Sequence, residues 1–247
     1  MKTLIAGAAS VLMTASAATA QTMPEAEPRV YISANAIYQP SSSGVAETFE
    51  FQEFVETGTI STSFDPAAAL GFDGGVTVRV WDRLGMSAAV STYAPDKGGT
   101  VTARIPHPLY FDQHREISGA AELTRSETAI HTNLAYIVPA GARLLAIVSA
   151  GASYFRVEQD FVTDVQYSQA YPFETADFRG VERDRQRASA VGFNATLDLA
   201  WRLGESFAVG GLLRFTHASV PFTPGNRGEV TVDVGGVQAG LGLRVRF

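Results

Sequence analysis

Apolar and polar residues alternate one by one along much of this 247-residue chain, most cleanly at its end. Between Glu229 and Phe247, one parity holds Val237, Ala239, Leu241, Leu243, Val245 and Phe247, and the other holds Gln238, Gly240, Gly242, Arg244 and Arg246. Period two means a β-strand with one apolar face. Six further segments alternate or continue such a pattern: Arg29 to Gln39, Gly71 to Trp81, Met86 to Tyr93, Leu123 to Val138, Ser189 to Trp201, and Phe207 to Ala218. An eighth, Arg143 to Val157, is apolar or small on both faces, so its faces are not assignable.

The connections alternate as well. Asp82-Arg83-Leu84-Gly85, Pro139 to Ala142 and Arg202 to Ser206 are tight, whereas Pro40 to Ala69, Ala94 to Glu122, Glu158 to Gln186 and Pro221 to Gly228 are long. Within the first long segment Phe49, Phe51 and Phe54 suggest an extended hairpin. In the second, Pro106 and Pro108 remove ladder donors, so no central strand is expected there. The pattern predicts an all-β fold: an eight-stranded antiparallel up-and-down transmembrane β-barrel with short periplasmic turns and long extracellular hairpins. A soluble barrel would turn its apolar residues inward. The last strand and Ser189 to Trp201 instead place Gly, Asn, Asp and Arg opposite a continuous apolar face, and that composition suits a barrel with lipid outside. Trp81, Trp201 and Phe247 fall at tight-turn ends, where an interfacial aromatic girdle is expected.

The amino terminus reads as a signal peptide over residues 1–20: Lys2, a small apolar run to Ala18, and an A-x-A cleavage site ending at Ala20. Residues 21–28 form a polar periplasmic lead-in and 29–247 the barrel. Without residues 1–20 the chain has 18 basic and 25 acidic residues, net −7, which argues against nucleic acid as a partner. Zero cysteines exclude disulfides, thiolate metal sites and a lipoprotein anchor. No cofactor and no metal are expected. The acidic stretch Glu158 to Asp184 is interspersed with arginines and reads as a solvated mixed-charge segment.

An eight-stranded bore is just wide enough for side chains to fill. The inward parity holds Asp73, Arg79, Glu127, His131, Asp198, Arg214, Arg244 and Arg246, and charges shut from water need partners. The expectation is an ion-pair network that plugs the lumen. In it Arg214 would meet Glu127 or Asp73, and Arg79, Arg244 and Asp198 would group near the periplasmic end. The alternative is a narrow ion or small-solute channel along these groups.

A last strand that alternates and ends on Phe resembles the terminal strand of bacterial outer-membrane β-barrels. The resemblance implies that Phe247 is part of the signal read by the barrel-insertion machinery. Over residues 29–247 the chain resembles small barrels of the OmpA and OmpX type and a set of outer-membrane β-barrel proteins with a stretch like Pro106-His107-Pro108-Leu109-Tyr110-Phe111. It implies a non-enzymatic structural, adhesive or envelope-integrity role, with outer-membrane lipid as surroundings, an extracellular protein partner possible through the loops, and a monomeric state. A second resemblance points elsewhere. His217-Ala218-Ser219 followed by Glu229 is similar to the triad of outer-membrane lipid A deacylases, which implies a lipid hydrolase using His217, Ser219 and Glu229. The sequence departs from that family in having Val220 where an oxyanion-binding Asn is expected and a Pro/Gly-rich loop before Glu229; Asn226 or a loop amide would have to replace that donor.

Overall fold

The computed structural model describes residues 28–40, 43–65, 68–93, 98–224 and 228–247. The expected signal peptide, the lead-in as far as Glu27, and Asn226 lie outside the described residues. Among the described residues there are twelve strands and no helix: β1 (Val30–Gln39), β2 (Val45–Glu53), β3 (Glu56–Phe64), β4 (Ala69–Trp81), β5 (Leu84–Tyr93), β6 (Gly98–Pro106), β7 (His114–Leu123), β8 (Arg125–Pro139), β9 (Leu144–Gln169), β10 (Ala176–Arg202), β11 (Phe207–Phe222) and β12 (Val230–Arg246).

Eight of these close an antiparallel barrel in the order β1-β12-β11-β10-β9-β8-β5-β4. Closure runs from Tyr31↔Arg246 to Tyr38↔Ala239, so neither the first nor the last strand keeps a free edge. They are the eight strands the alternation predicts, with the predicted faces: Val76, Val90, Leu134, Val191, Leu213 and Leu241 are exposed on the outside, while Asp73, His131, Asn194, Arg214 and Arg244 are buried within. Backbone geometry also resolves the ambiguous strand: Ile147, Ser149, Ser153 and Phe155 of β9 point inward, and Val148 and Tyr154 point outward.

The hairpin expected within Pro40 to Ala69 is present, whereas Ala94 to Glu122 and Glu158 to Gln186 differ from the expectation. Pro40 to Ala69 and Ala94 to Glu122 each contain a hairpin, and the two hairpins join in a second, four-stranded sheet of order β2-β3-β6-β7. Pro106 does not prevent β6. It is the last residue of that strand, opposite His114, where a missing donor costs little. Glu158 to Gln186 is not a loop either, because β9 and β10 run on as one hairpin of 26 and 27 residues. A membrane strand needs only about 9–11 residues, so more than half of each stands beyond the bilayer. The second sheet covers this extension through Ile60, Phe64, Val101, Ile105 and Ile117, which pack with Val162 and Val165. At Gly119 of β7 the fit is so close that a Cβ would lie 2.1 Å from the ring of Phe178 on β10.

Candidate functional site

The barrel interior changes character along its axis. Nearest the tight turns, Arg244 forks onto Asp198 at 3.1 and 2.9 Å and donates a third bond, 3.0 Å, to the Gly210 carbonyl. At mid-depth Arg214 meets Asp73 at 2.7 Å, with side chains only 4% and 2% exposed. The other Asp73 oxygen accepts from Asn35 at 2.9 Å, and Arg214 Nε donates to Thr196 at 3.1 Å. His131 sits between Ser91 (3.0 Å) and Ser153 (2.7 Å), and Asn194 links Ser153 to Asn133 at 2.9 and 2.8 Å. Higher still, Arg125 pairs with Glu127 at 2.8 Å and donates to the carbonyls of Ser43 and Asp233, both at 2.9 Å.

Sequence reasoning thus left two partners open for Arg214, and the structure joins it to Asp73. Glu127 takes Arg125, which sequence reasoning missed although Arg125 has the same parity as Glu127. Arg246 is not in the ion-pair layer: it donates to the carbonyls of Glu205 and Gly204 in the tight turn below. Arg79 is half-buried on the inward face opposite Gly85. The void left in this lower half, bordered by Asp73, Asp198, Arg214 and Arg244, is about 60 Å³, room for about two waters.

Around Arg125 and Glu127 the upper interior is mainly apolar. Phe155, Val157, Phe161, Val220, Phe222, Val232 and Val234 are all buried in one cluster, with Ala129 and Ala218. Phe161 and Phe222 stack with centroids 5.1 Å apart. Beyond this cap, Tyr167 of the extended hairpin donates to Glu53 of β2 at 2.6 Å. Burial first, and then that carboxylate, push the Tyr167 phenol above its ordinary range.

The other candidate triad is not brought together. Ser219 O–H donates to Asp233, its cross-strand neighbour, at 2.7 Å. His217 faces outward against Phe193, ring centroids 5.8 Å apart. The residue opposite His217 is Gly235, and Glu229 is an exposed residue just before β12. Six residues of strand separate the two, about 20 Å, beyond reach of the imidazole. Val220 is buried in the interior cap rather than facing Ser219. Among the described residues no cluster of His, Asp and Glu is placed to hold a metal ion.

No protein-family model matches the sequence, and no curated protein sequence matches it. Solved structures do match. The crystal structure of Neisserial surface protein A is similar with a TM-score of 0.51 at 10% identity, covering 88% of this chain and 97% of that one. The outer membrane protein OprG of Pseudomonas aeruginosa follows with a TM-score of 0.49 at 11% identity, covering 90% and 97%. At these identities the likeness is one of fold. This is the fold of a small outer-membrane β-barrel.

The outer surface of the barrel fits that fold quantitatively. On β10 the alternate residues from Val191 to Trp201 are apolar and outward. They cover about 33 Å of strand, or about 25 Å of height at the usual 35–45° tilt, the thickness of an outer-membrane apolar band. Exposed Trp81, Trp201, Phe207 and Phe247 ring the tight-turn end, and Tyr38, Phe72, Tyr154, Phe193 and Phe215 ring the other. Phe247 is 68% exposed, while its amide donates to the Val30 carbonyl at 2.9 Å and its carbonyl accepts from Arg29 at 2.7 Å, tying the last residue to the first strand.

Proposed function

We propose that this chain is a non-enzymatic outer-membrane barrel, monomeric and with a plugged lumen, that holds the four-stranded sheet outside the cell in a contact-making role, adhesive or structural. The hairpin end faces outward and the tight-turn end faces the periplasm. The observation that carries the reading is the stacking of two different seals in one bore: buried ion pairs at mid-depth, and above them a packed apolar cap in which the charged groups at the same level, Arg125 and Glu127, are tied to each other. A solute crossing it would have to part Asp73 from Arg214 and then shed its water among phenylalanines. The test is conductance of the refolded protein in a planar bilayer. We expect no stable steps above the bare membrane; a steady ohmic current would establish the narrow channel instead.

Phe247 is proposed as part of the insertion signal. Because it is exposed, its packing contribution is small, so deleting it should lower assembly in cells far more than refolding yield in lipid. Equal losses in both would assign it to stability alone.

A further inference from the structure

The turn between β2 and β3 is made of residues that do not suit its shape. A two-residue hairpin turn with positive φ at both centres favours Asn-Gly or Gly-Gly; here Phe54 and Val55 stand at φ 47° and 68°. For a β-branched residue positive φ is strained, and Val55 gains no burial in return, being 94% exposed. Two more loops reach the same level. Asp112 N–H donates to Glu56 at 2.7 Å and the His114 ring meets the Thr57 carbonyl at 3.2 Å, which fastens the 107–113 loop beside the turn. Arg115 donates to the Phe173 carbonyl at 3.3 Å and fastens the β9–β10 turn next to it. From these loops project Leu109, Tyr110, Phe111 and Tyr171, between 54% and 81% exposed.

We propose that these three tips form a membrane-contact surface that inserts into the interface of a bilayer facing the cell, one with zwitterionic headgroups. Exposed apolar side chains at three separate loop tips suit a deformable partner better than a protein, whose hot spots pair with pockets. Several loop amides are already satisfied within the protein, His107 by Gln113 and Phe173 by Ala170, each at 2.8 Å, and Leu109 by the His107 ring at 3.1 Å. Such loops enter an apolar medium without stranding those donors. Tyr, Phe and Leu are the side chains that settle at bilayer interfaces. Glu53, Glu56, Asp112 and Glu174 flank the tips, and this acidic surround disfavours an anionic bilayer. The protein's own membrane is out of reach. Thirteen residues of β9 separate Arg156, the first outward charge above the belt, from Gln169, about 40 Å along the strand.

This inference rests on the outward orientation of the hairpin end and deepens the contact role proposed above. The test uses the full chain in nanodiscs mixed with protein-free phosphatidylcholine vesicles, scored by co-flotation. Loaded nanodiscs should float with the vesicles and empty ones should not. Phe54→Asn with Val55→Gly should bind on the order of tenfold more weakly, yet melt at a higher temperature because Asn-Gly suits the turn. A second variant, Leu109→Ser with Tyr110→Ser and Phe111→Ser, should lose binding with its barrel intact. Unchanged binding by both variants would overturn the proposal, as would preference for phosphatidylglycerol vesicles. Association of loaded nanodiscs with one another but not with vesicles would overturn it too, making a second copy the occupant. If folded, non-conducting protein fails to bind, the plugged-barrel reading still stands; if it conducts, that reading fails on its own.

Discussion

Strand β11 is two different strands joined end to end. In its lower part Phe207, Val209, Leu213 and Phe215 face outward and Arg214 and Thr216 face inward; in its upper part Ala218, Val220 and Phe222 face inward and Ser219 faces outward. The ladder to β12 runs through the change without a break in register. β12 does the same, with Leu241 and Leu243 outward below, and Val232 and Val234 inward above. On β10 the outward apolar series ends at Val191, and Ser189, Arg187, Arg185 and Arg183 continue the same face. The parity of a residue therefore fixes which side of the wall it is on. Whether that side is apolar depends on the medium outside, hydrocarbon below and water above. The upper part has the polarity of a soluble barrel and is held mainly by an apolar core around the Arg125–Glu127 pair, whereas the lower part is held by buried charged and polar groups.

The contrast is sharpest between two ion pairs of the same chemistry. Arg214–Asp73 lies in the lower interior with both side chains almost fully buried, at 4% and 2% exposure. Arg185–Asp160 lies above the membrane at the same 2.7 Å, but the arginine is 58% exposed. Truncating one partner of a buried pair strands the other without water, and such losses run to about 3–5 kcal/mol. Arg214→Ala should therefore lower the stability of the barrel by about that much, read from urea unfolding in lipid, because Asp73 then keeps the Asn35 amide but no cation. Replacing both partners, Asp73→Asn with Arg214→Met, should recover most of the loss. If Arg214→Ala unfolds like the wild type, the pair does not hold the lower barrel together.

The same contrast explains what was legible in the sequence. The lower strands were, since hydrocarbon on one side imposes unbroken apolar alternation over the length of a crossing. The upper continuation was not. Val230, Val232 and Val234 share parity with Arg244, so a reader following the apolar face of the last strand loses them where the medium changes. In β9 and β10 the parity itself slips: Phe161 and Val162 are adjacent and both buried, and the register shifts between Phe178 and Gly180 and again between Glu182 and Arg183. With charged residues on the wet side, that stretch resembled a polar loop. The inward charges of the site were identified by parity, but their pairing was not, since Arg214 and Asp73 stand on β11 and β4, with β12 and β1 between them. Only closure of the barrel brings them across the lumen. The tips were hidden for a different reason: nothing in Phe54-Val55 signals a turn, because those residues oppose the conformation they adopt.

The smallest effect belongs to the upper ion pair, and pH reveals it. Asp160 of β9 faces the junction of β7 and β8, where it accepts from Thr124 N–H at 3.1 Å, and it also accepts from Arg185 at 2.7 and 3.2 Å. Burial pushes its pKa up, but the Arg185 bond, the Thr124 amide and the guanidinium charges outweigh it, and the carboxyl is held below its ordinary 3.8. A carboxylate with a depressed folded pKa stabilises the fold above its unfolded value, and that contribution disappears as the pH falls through the folded one. The wild type should therefore lose this increment below pH 3.8, whereas Asp160→Asn, which cannot titrate, should begin slightly less stable at neutral pH and show a flatter acid limb. Because Arg185 is largely in water, the difference should shrink as salt is raised, which no buried pair in the lumen would do. Thermal unfolding at pH 7 and at pH 3, in low and high salt, reads all three signs. An acid limb identical in the two proteins would mean that the bonds at Asp160 do no more for the folded state than water does for the unfolded one.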